Sequence, residues 1–180
     1  MTLDEFWDHI KKSKRRDPDA HVGRLTARLA KLPPDDILDF VHWWDFYARE
    51  SYDWTLWGAA YLINGGCSDD GFDYFRDWLI LQGRDVFQAA VSDPDTLADV
   101  VDGEEVECGC HPGADAWFEA TGAEKDAAGY QAFDAAMKVR HPLTPAMPDL
   151  GDDWDHDNDA EMNRRFPRLW AMYKRDDDDD

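Results

Sequence analysis

An all-α fold follows from three features of this 180-residue chain. Apolar residues return at three- and four-residue spacing almost throughout, capping residues stand ahead of those stretches, and no segment alternates convincingly with the period of a strand. With 43% hydrophobic and 13% aromatic residues, nine of them Trp, the chain has ample apolar surface for a core. The expectation is one compact domain over residues 1–175, of about eight to ten helices. A long Pro- and Asp-rich loop and an acidic disordered tail at 176–180 complete it.

Thr2 and Glu5 have capping-box spacing ahead of a helix with Phe6, Trp7 and Ile10 on one side. Asp17-Pro18 supplies an N-cap and a first-turn proline, and Val22, Leu25, Leu29 and Leu32 form the stripe that follows. Pro33-Pro34 ends that helix and begins a third, on which Ile37, Phe40, Val41, Trp44, Tyr47 and Ala48 share a face. Residues Tyr52 to Ile63 are apolar nearly all round, as in a helix buried from several directions. Asn64-Gly65-Gly66 stops it, Ser68 or Asp69 caps a helix over Asp70 to Gln82, and Gly83 ends that one. Shorter helices are expected over Arg84 to Val91, from Asp93-Pro94 to Val101, over Ala114 to Thr121 and over Glu124 to Val139. After an ordered loop from His141 to Asp159, a final pair spans Ala160 to Arg165 and Pro167 to Lys174. The C-terminal helices thus run over 114–174, with Phe166, Leu169, Trp170 and Tyr173 pointing inwards.

Charge excludes some functions. Forty acidic residues against nineteen basic ones give a net charge of -21, and Asp outnumbers Glu 32 to 8. Such a surface repels nucleic-acid phosphates and anionic membranes. No apolar run approaches the roughly 18 residues of a membrane span. The N-terminal residues lack the apolar core of a signal peptide, so the expected location is the cytoplasm. The charge is also uneven: residues 1–31 carry a net +3 and residues 92–160 a net -15. Salt adaptation and a surface kept soluble by charge both account for the acidity.

The segment from Cys67 to Arg84, CSDDGFDYFRDWLILQGR, is the most distinctive of the chain. Together with Phe6-Trp7, the run LWGAAYLINGG before it and SDPDTLADV after it, it resembles the bacterial domain of unknown function 4240 family (DUF4240). The likeness covers most of residues 3–101, with weaker agreement to about 174 that includes the late FPRLW. The resemblance implies a compact bacterial helical domain and lends no activity, cofactor or catalytic residue. Cys108-Gly109-Cys110-His111 is not part of it.

Several residues are candidates for chemistry. At about 100° per residue, Arg76 falls roughly 40° from Phe72, inside the apolar stripe of its helix. A guanidinium there must be paired. It either fixes helix packing through an internal ion pair or carbonyl clamp, with Asp45, Asp53, Asp70 or Glu104 as carboxylate, or it anchors a ligand anion. Arg84, at a helix junction, is a second ligand-binding candidate beside its reading as a cap. Asp69 and Asp70 match the N-cap signal and, with Arg76 and Glu104, form the candidate catalytic set.

Three cysteines without a secretory signal predict reduced thiols. Cys108, Cys110 and His111, with Cys67 as a fourth ligand, make a candidate zinc set, although the CxC spacing is less diagnostic than paired CxxC. The alternative is a pair of surface thiols in an irregular loop. The acidic loop Asp153 to Asp159 fails the calcium-loop pattern at its sixth and twelfth positions, Asn158 and Arg164. His9, His21 and His42 read as surface histidines. Trp43 and Phe46 lie off the main stripe of the third helix and are candidates for a partner-binding patch.

The function that fits is a binding or regulatory module for a protein partner or small anionic ligand. The alternative is a small, metal-assisted enzyme with a pocket around Arg76 and nearby carboxylates. An acidic mimic of nucleic acid ranks behind both.

Overall fold

The computed structural model describes residues 1–143, 146 and 149–174. It is all-helical, with ten α-helices and one 3-10 helix and no strand among the described residues. The helices are α1 (Leu3–Ser13), α2 (Pro18–Leu29), α3 (Pro34–Glu50), α4 (Trp54–Ile63), α5 (Asp69–Gln82), α6 (Arg84–Ser92), α7 (Pro112–Thr121), α8 (Ala127–Arg140), α9 (Asp159–Arg165) and α10 (Pro167–Tyr173). The 3-10 helix (Pro94–Asp99) follows α6. The expected acidic tail at 176–180 lies outside the described residues. By its packing the chain divides into two compact units, Met1–Tyr47 with Cys110–Ala146, and Ala48–Gly109 with Met147–Asp180.

In the first unit the capping signals act as the sequence predicts. Thr2 Oγ1 accepts the Glu5 N–H while the Glu5 carboxylate accepts the Thr2 N–H, and Asp17 caps α2 through Ala20 N at 2.7 Å. The core is aromatic. Phe6 lies 4.8 Å from Phe40 and 5.7 Å from Tyr47, centroid to centroid, and Trp7 lies 4.7 Å from Tyr47. Leu25, Leu29 and Ile37 are fully buried beside them. At Gly113, which opens α7 with Pro112, a Cβ would stand 2.6 Å from Val41 Cγ2, so only glycine lets α7 come this close to α3. Helix α8 begins at Ala127 rather than Glu124, because Asp126 takes the N-cap and accepts the Gly129 N–H at 2.8 Å.

His21 departs from the expected surface position. It is buried, with Nε2 3.2 Å from the Ile10 carbonyl, because α2 packs on α1 at this point. Burial holds its imidazole below the usual value, against the opposing pull of the Ile10 hydrogen bond. The unfolded chain, with an ordinary histidine near 6.5, therefore takes up a proton first. Stability is present above about pH 6.5 and is lost as pH falls through the lower folded value. His9 and His156 are lowered by burial as well and add to the same trend. The urea midpoint should be lower at pH 5.5 than at pH 7.5. His21→Gln, which keeps a neutral donor near Ile10, should narrow that gap; an unchanged gap would remove His21 as a cause.

In the second unit α4 and α5 supply the core. Asp53 caps α4 through Thr55 N and Leu56 N, at 2.7 and 2.8 Å, and Ser68, rather than Asp69, caps α5 through Gly71 N. Trp57 stacks on Phe72 at 4.7 Å, and Leu56, Phe75, Leu79 and Leu97 are fully buried. Gly83, at φ +98°, makes the turn between α5 and α6 in a region that side chains avoid. The segment after Asp93 is a 3-10 helix, and its buried Asp95 accepts the Arg168 and Leu169 N–H groups, each at 3.0 Å. The opening turn of α10 is thus capped from a distant element, since Phe166 at the N-cap offers no acceptor side chain. Part of the acidic loop is pinned too: the Trp54 N–H donates to the Leu150 carbonyl at 3.2 Å. Trp154 lies against Gly58, where a Cβ would stand 2.7 Å from Cη2. No helix among the described residues is long and apolar enough to cross a membrane.

Candidate functional site

Arg76 is the buried guanidinium that the helical wheel predicts, 7% exposed on α5. Its Nη1 donates to the Ala48 carbonyl, its Nη2 to the Asp73 carboxylate and its Nε to the Phe72 carbonyl at 3.3 Å. The guanidinium also lies 4.4 Å above the Tyr52 ring. All three nitrogens are therefore engaged by the chain itself, in the carbonyl-clamp arrangement. The carboxylate on it, Asp73, is not one of the four named from sequence; it sits one turn earlier on the same helix and is largely exposed.

The other candidate catalytic residues do not gather around Arg76's hydrogen bonds. Asp69 and Asp70 are exposed in the first turn of α5. Glu104 is exposed, and its backbone carbonyl accepts the Tyr173 hydroxyl at 3.0 Å. Arg84 opens α6 and is half-buried.

Of the candidate zinc ligands, Cys67 and Cys108 belong to the second unit, and Cys110 and His111 to the first. None of the three cysteines is in a disulfide. Among the described residues no group of three or more His, Cys, Asp or Glu side chains is placed to hold a metal ion. Cys67 lines a cavity of about 210 Å³ with Ser68, Glu105 and Glu107. Burial, reinforced by the charge of Asp69, pushes its thiol up to about 11, so it is protonated at neutral pH.

Trp43 and Phe46 are half-buried, 5.8 Å apart edge to face, and Trp43 Nε1 donates to the Met1 carbonyl at 3.3 Å. The large exposed apolar side chains of the first unit lie instead on and just beyond α8: Tyr130, Val139 (85% exposed) and Leu143 (83%). Of the fourteen residues of α8 only Gly129 is buried. An open groove of about 510 Å³ beside it is lined by Leu38, Ala135, Ala136 and Val139, with Asp35 and Arg140.

Sequence reading missed the charged hub beside that groove. Asp39, buried on α3, accepts Nε and Nη2 of Arg140, each at 2.9 Å, and lies 3.0 Å from His141 Nε2. The α-amino group of Met1 also donates to it. Burial alone would raise this carboxyl, but hydrogen bonds from Arg140 and the Met1 amine, with their charges, hold it well below the usual carboxylate range. The His141 ring stacks on His42 at 4.1 Å, almost parallel. Asp35, Asp36 and Asp39 at helical spacing were the available signal, but nothing in the sequence says which distant cation meets them.

A third feature also escaped the sequence. Tyr61, His156, Asp157, Asp159, Trp170 and Lys174 surround a cavity of about 250 Å³ in the second unit.

The family model described as "Protein of unknown function (DUF4240)" matches residues 1–138. That reaches well past the 3–101 segment where the resemblance is strongest and stops short of Phe166–Trp170. No curated protein and no solved structure matches the chain.

Proposed function

The chain belongs to the DUF4240 family, and from that premise, which carries no activity, we propose that it is a protein-binding module that docks its partner on α8. The observation that carries this reading is the exposure of Val139 and Leu143 beside an apolar groove, on a helix that buries only Gly129. Covering a fully exposed Val or Leu is worth about 1.5–3 kcal/mol, enough for two such side chains and the apolar groove lining to anchor an interface. The occupant that fits is an amphipathic helix with basic flanks. The chain carries a net charge of -21 and Asp35, which lines the groove, is largely exposed, whereas Arg140 is already neutralised by Asp39. A second copy would bring the same excess of negative charge, which opposes encounter. The alternative of an enzyme built around Arg76 draws less support, because the hydrogen bonds of that guanidinium go to its own chain.

The test is a photo-crosslinking residue at position 139 of the full chain in its source cells, with the exposed Gln88 of α6 as control position. The expected result is one distinct crosslinked protein from 139 and not from 88. That protein, once purified, should bind Val139→Asp/Leu143→Asp at least tenfold more weakly than the unaltered chain. Both side chains are exposed, so folding should be retained. Crosslinks only to a second copy, or binding unchanged by the double substitution, would overturn the proposal.

A further inference from the structure

The cavity of the second unit combines aromatic faces with opposed charges. Tyr61 and Gly65 come from α4 and its C-terminal turn, His156 and Asp157 from the acidic loop, Asp159 from the start of α9, and Trp170 and Lys174 from α10 and its end. The Tyr61 hydroxyl donates to Asp157 Oδ1 at 2.6 Å, which fixes the ring and the carboxylate together. His156 packs its ring 5.7 Å from Tyr61 and 4.5 Å from Trp154, and burial keeps it below the usual histidine range. It therefore adds an aromatic wall without a charge at neutral pH. The remaining formal charges are two carboxylates against one ammonium. That ammonium, Lys174 Nζ, lies 5.8 Å from the centroid of the Trp170 ring, so the chain seats a cation of its own on the indole.

We propose that this cavity binds an organic monocation, an alkylated ammonium group, with Trp170 and Tyr61 as ring faces and Asp157 and Asp159 as counter-charges. An anion is disfavoured by the carboxylate excess. The volume, about 250 Å³, admits a small head group. Aromatic quadrupoles and carboxylates together suit a soft, weakly hydrated ammonium better than a hard divalent ion, which seeks six or more oxygens. Lys174 is then an internal competitor that an incoming ammonium displaces from Trp170. This site lies in a different unit from the α8 groove and does not depend on it.

The experiment titrates the full chain with tetramethylammonium chloride at constant ionic strength and follows the indole N–H resonances by NMR. Sodium acetate and glucose serve as the anionic and neutral-polyol probes. The expected result is a saturable shift of the Trp170 indole with tetramethylammonium and none with acetate or glucose. Asp159→Asn should weaken binding about fivefold, Trp170→Leu should abolish it, and Lys174→Gln should tighten it severalfold. Trp170 is only half-buried, and a retained helical circular dichroism spectrum establishes that each variant folds; should Trp170→Leu unfold, Lys174→Gln carries the test. No saturable shift, a shift with glucose or acetate instead, or weaker binding in Lys174→Gln would overturn the proposal.

Discussion

Arg76→Ala should destabilise the second unit by about 3 kcal/mol, read as a fall in the denaturant midpoint by far-UV circular dichroism. The substitution removes the donor that reaches the Ala48 carbonyl, in the last turn of α3, from α5, and leaves it only the Ser51 hydroxyl at 3.3 Å. A hydrogen bond made by a charged donor contributes roughly 1.5–3 kcal/mol. It also strips the buried methylene stem and the guanidinium that lies 4.4 Å from the Tyr52 ring, a packing loss separate from the charge. Against this stands the recovered desolvation of a buried cation. Asp73, its carboxylate partner, is mostly in water and is not left as a buried unpaired charge, which also limits the loss. Arg76→Lys separates the terms: it keeps charge and stem but lacks the planar fork that serves three acceptors from one position. It should lose about half as much. If Arg76→Ala stayed within about 0.5 kcal/mol of the unaltered chain, the clamp would not be holding α5 to α3, and an external anion would become the better account of this buried cation.

Arg76 also shows how far sequence can reach. Its burial was legible because helical geometry alone places it among Phe72, Phe75 and Leu79, and burial alone demands partners. The partners were not legible. A backbone carbonyl carries no sequence signature, so Ala48 could not be named. Asp73, three residues earlier on the same helix, reads in sequence as an ordinary solvated carboxylate. The same division runs through the fold. Caps at Thr2, Asp17 and Ser68 are local, set by residues within three positions, and they stand where the spacing put them, whereas Asp53 caps α4 inside the stretch expected to be helical from Tyr52. Asp95 capping α10 across more than seventy residues is a tertiary event, and its sequence neighbourhood looks like an ordinary first turn. His21 misled for a related reason: charged neighbours in sequence say little about a helix face that packs on the backbone of α1.

Candidate sites divide along the same line. The surplus of aromatics announced packing and ring-lined surfaces, but which rings stay uncovered depends on which helix lacks a neighbour. Trp43 and Phe46 stand off the stripe of α3 and yet are half-buried, while the small-residue helix α8, with the weaker apolar signal, carries Val139 almost entirely in solvent. The cavity at Tyr61 needs residues from α4, the acidic loop, α9 and α10, whose Asp-rich members read in sequence as solvated charge.

Asp39→Asn tests the hub that sequence did not foresee, and pH is the lever that distinguishes charge from shape. Asn keeps the volume and one acceptor oxygen but removes the negative charge that Arg140 and His141 share. Breaking a buried pair from the carboxylate side costs about 3–5 kcal/mol when both partners are dry. Here Arg140 is substantially solvated, so the expected loss at pH 7 is nearer 2 kcal/mol. The folded carboxyl titrates below the unfolded value of about 3.9. Its contribution is therefore fully present above roughly pH 5, begins to fade as pH falls through the unfolded value, and is lost as pH falls through the folded one. The stability gap between the unaltered chain and Asp39→Asn should stay constant from pH 8 to 5 and shrink progressively as pH falls below about 4. A shape effect alone would give a gap that does not move with pH. A gap that widened in acid would reverse the sign and mean that the neutral carboxyl is the form the fold prefers. The same variant bears on α8. Arg140 and His141, which bind Asp39, mark the end of that helix, two residues before Leu143. Amide exchange over 137–143 should accelerate in Asp39→Asn while the N-terminal turn of α8, held by Asp126, is unaffected.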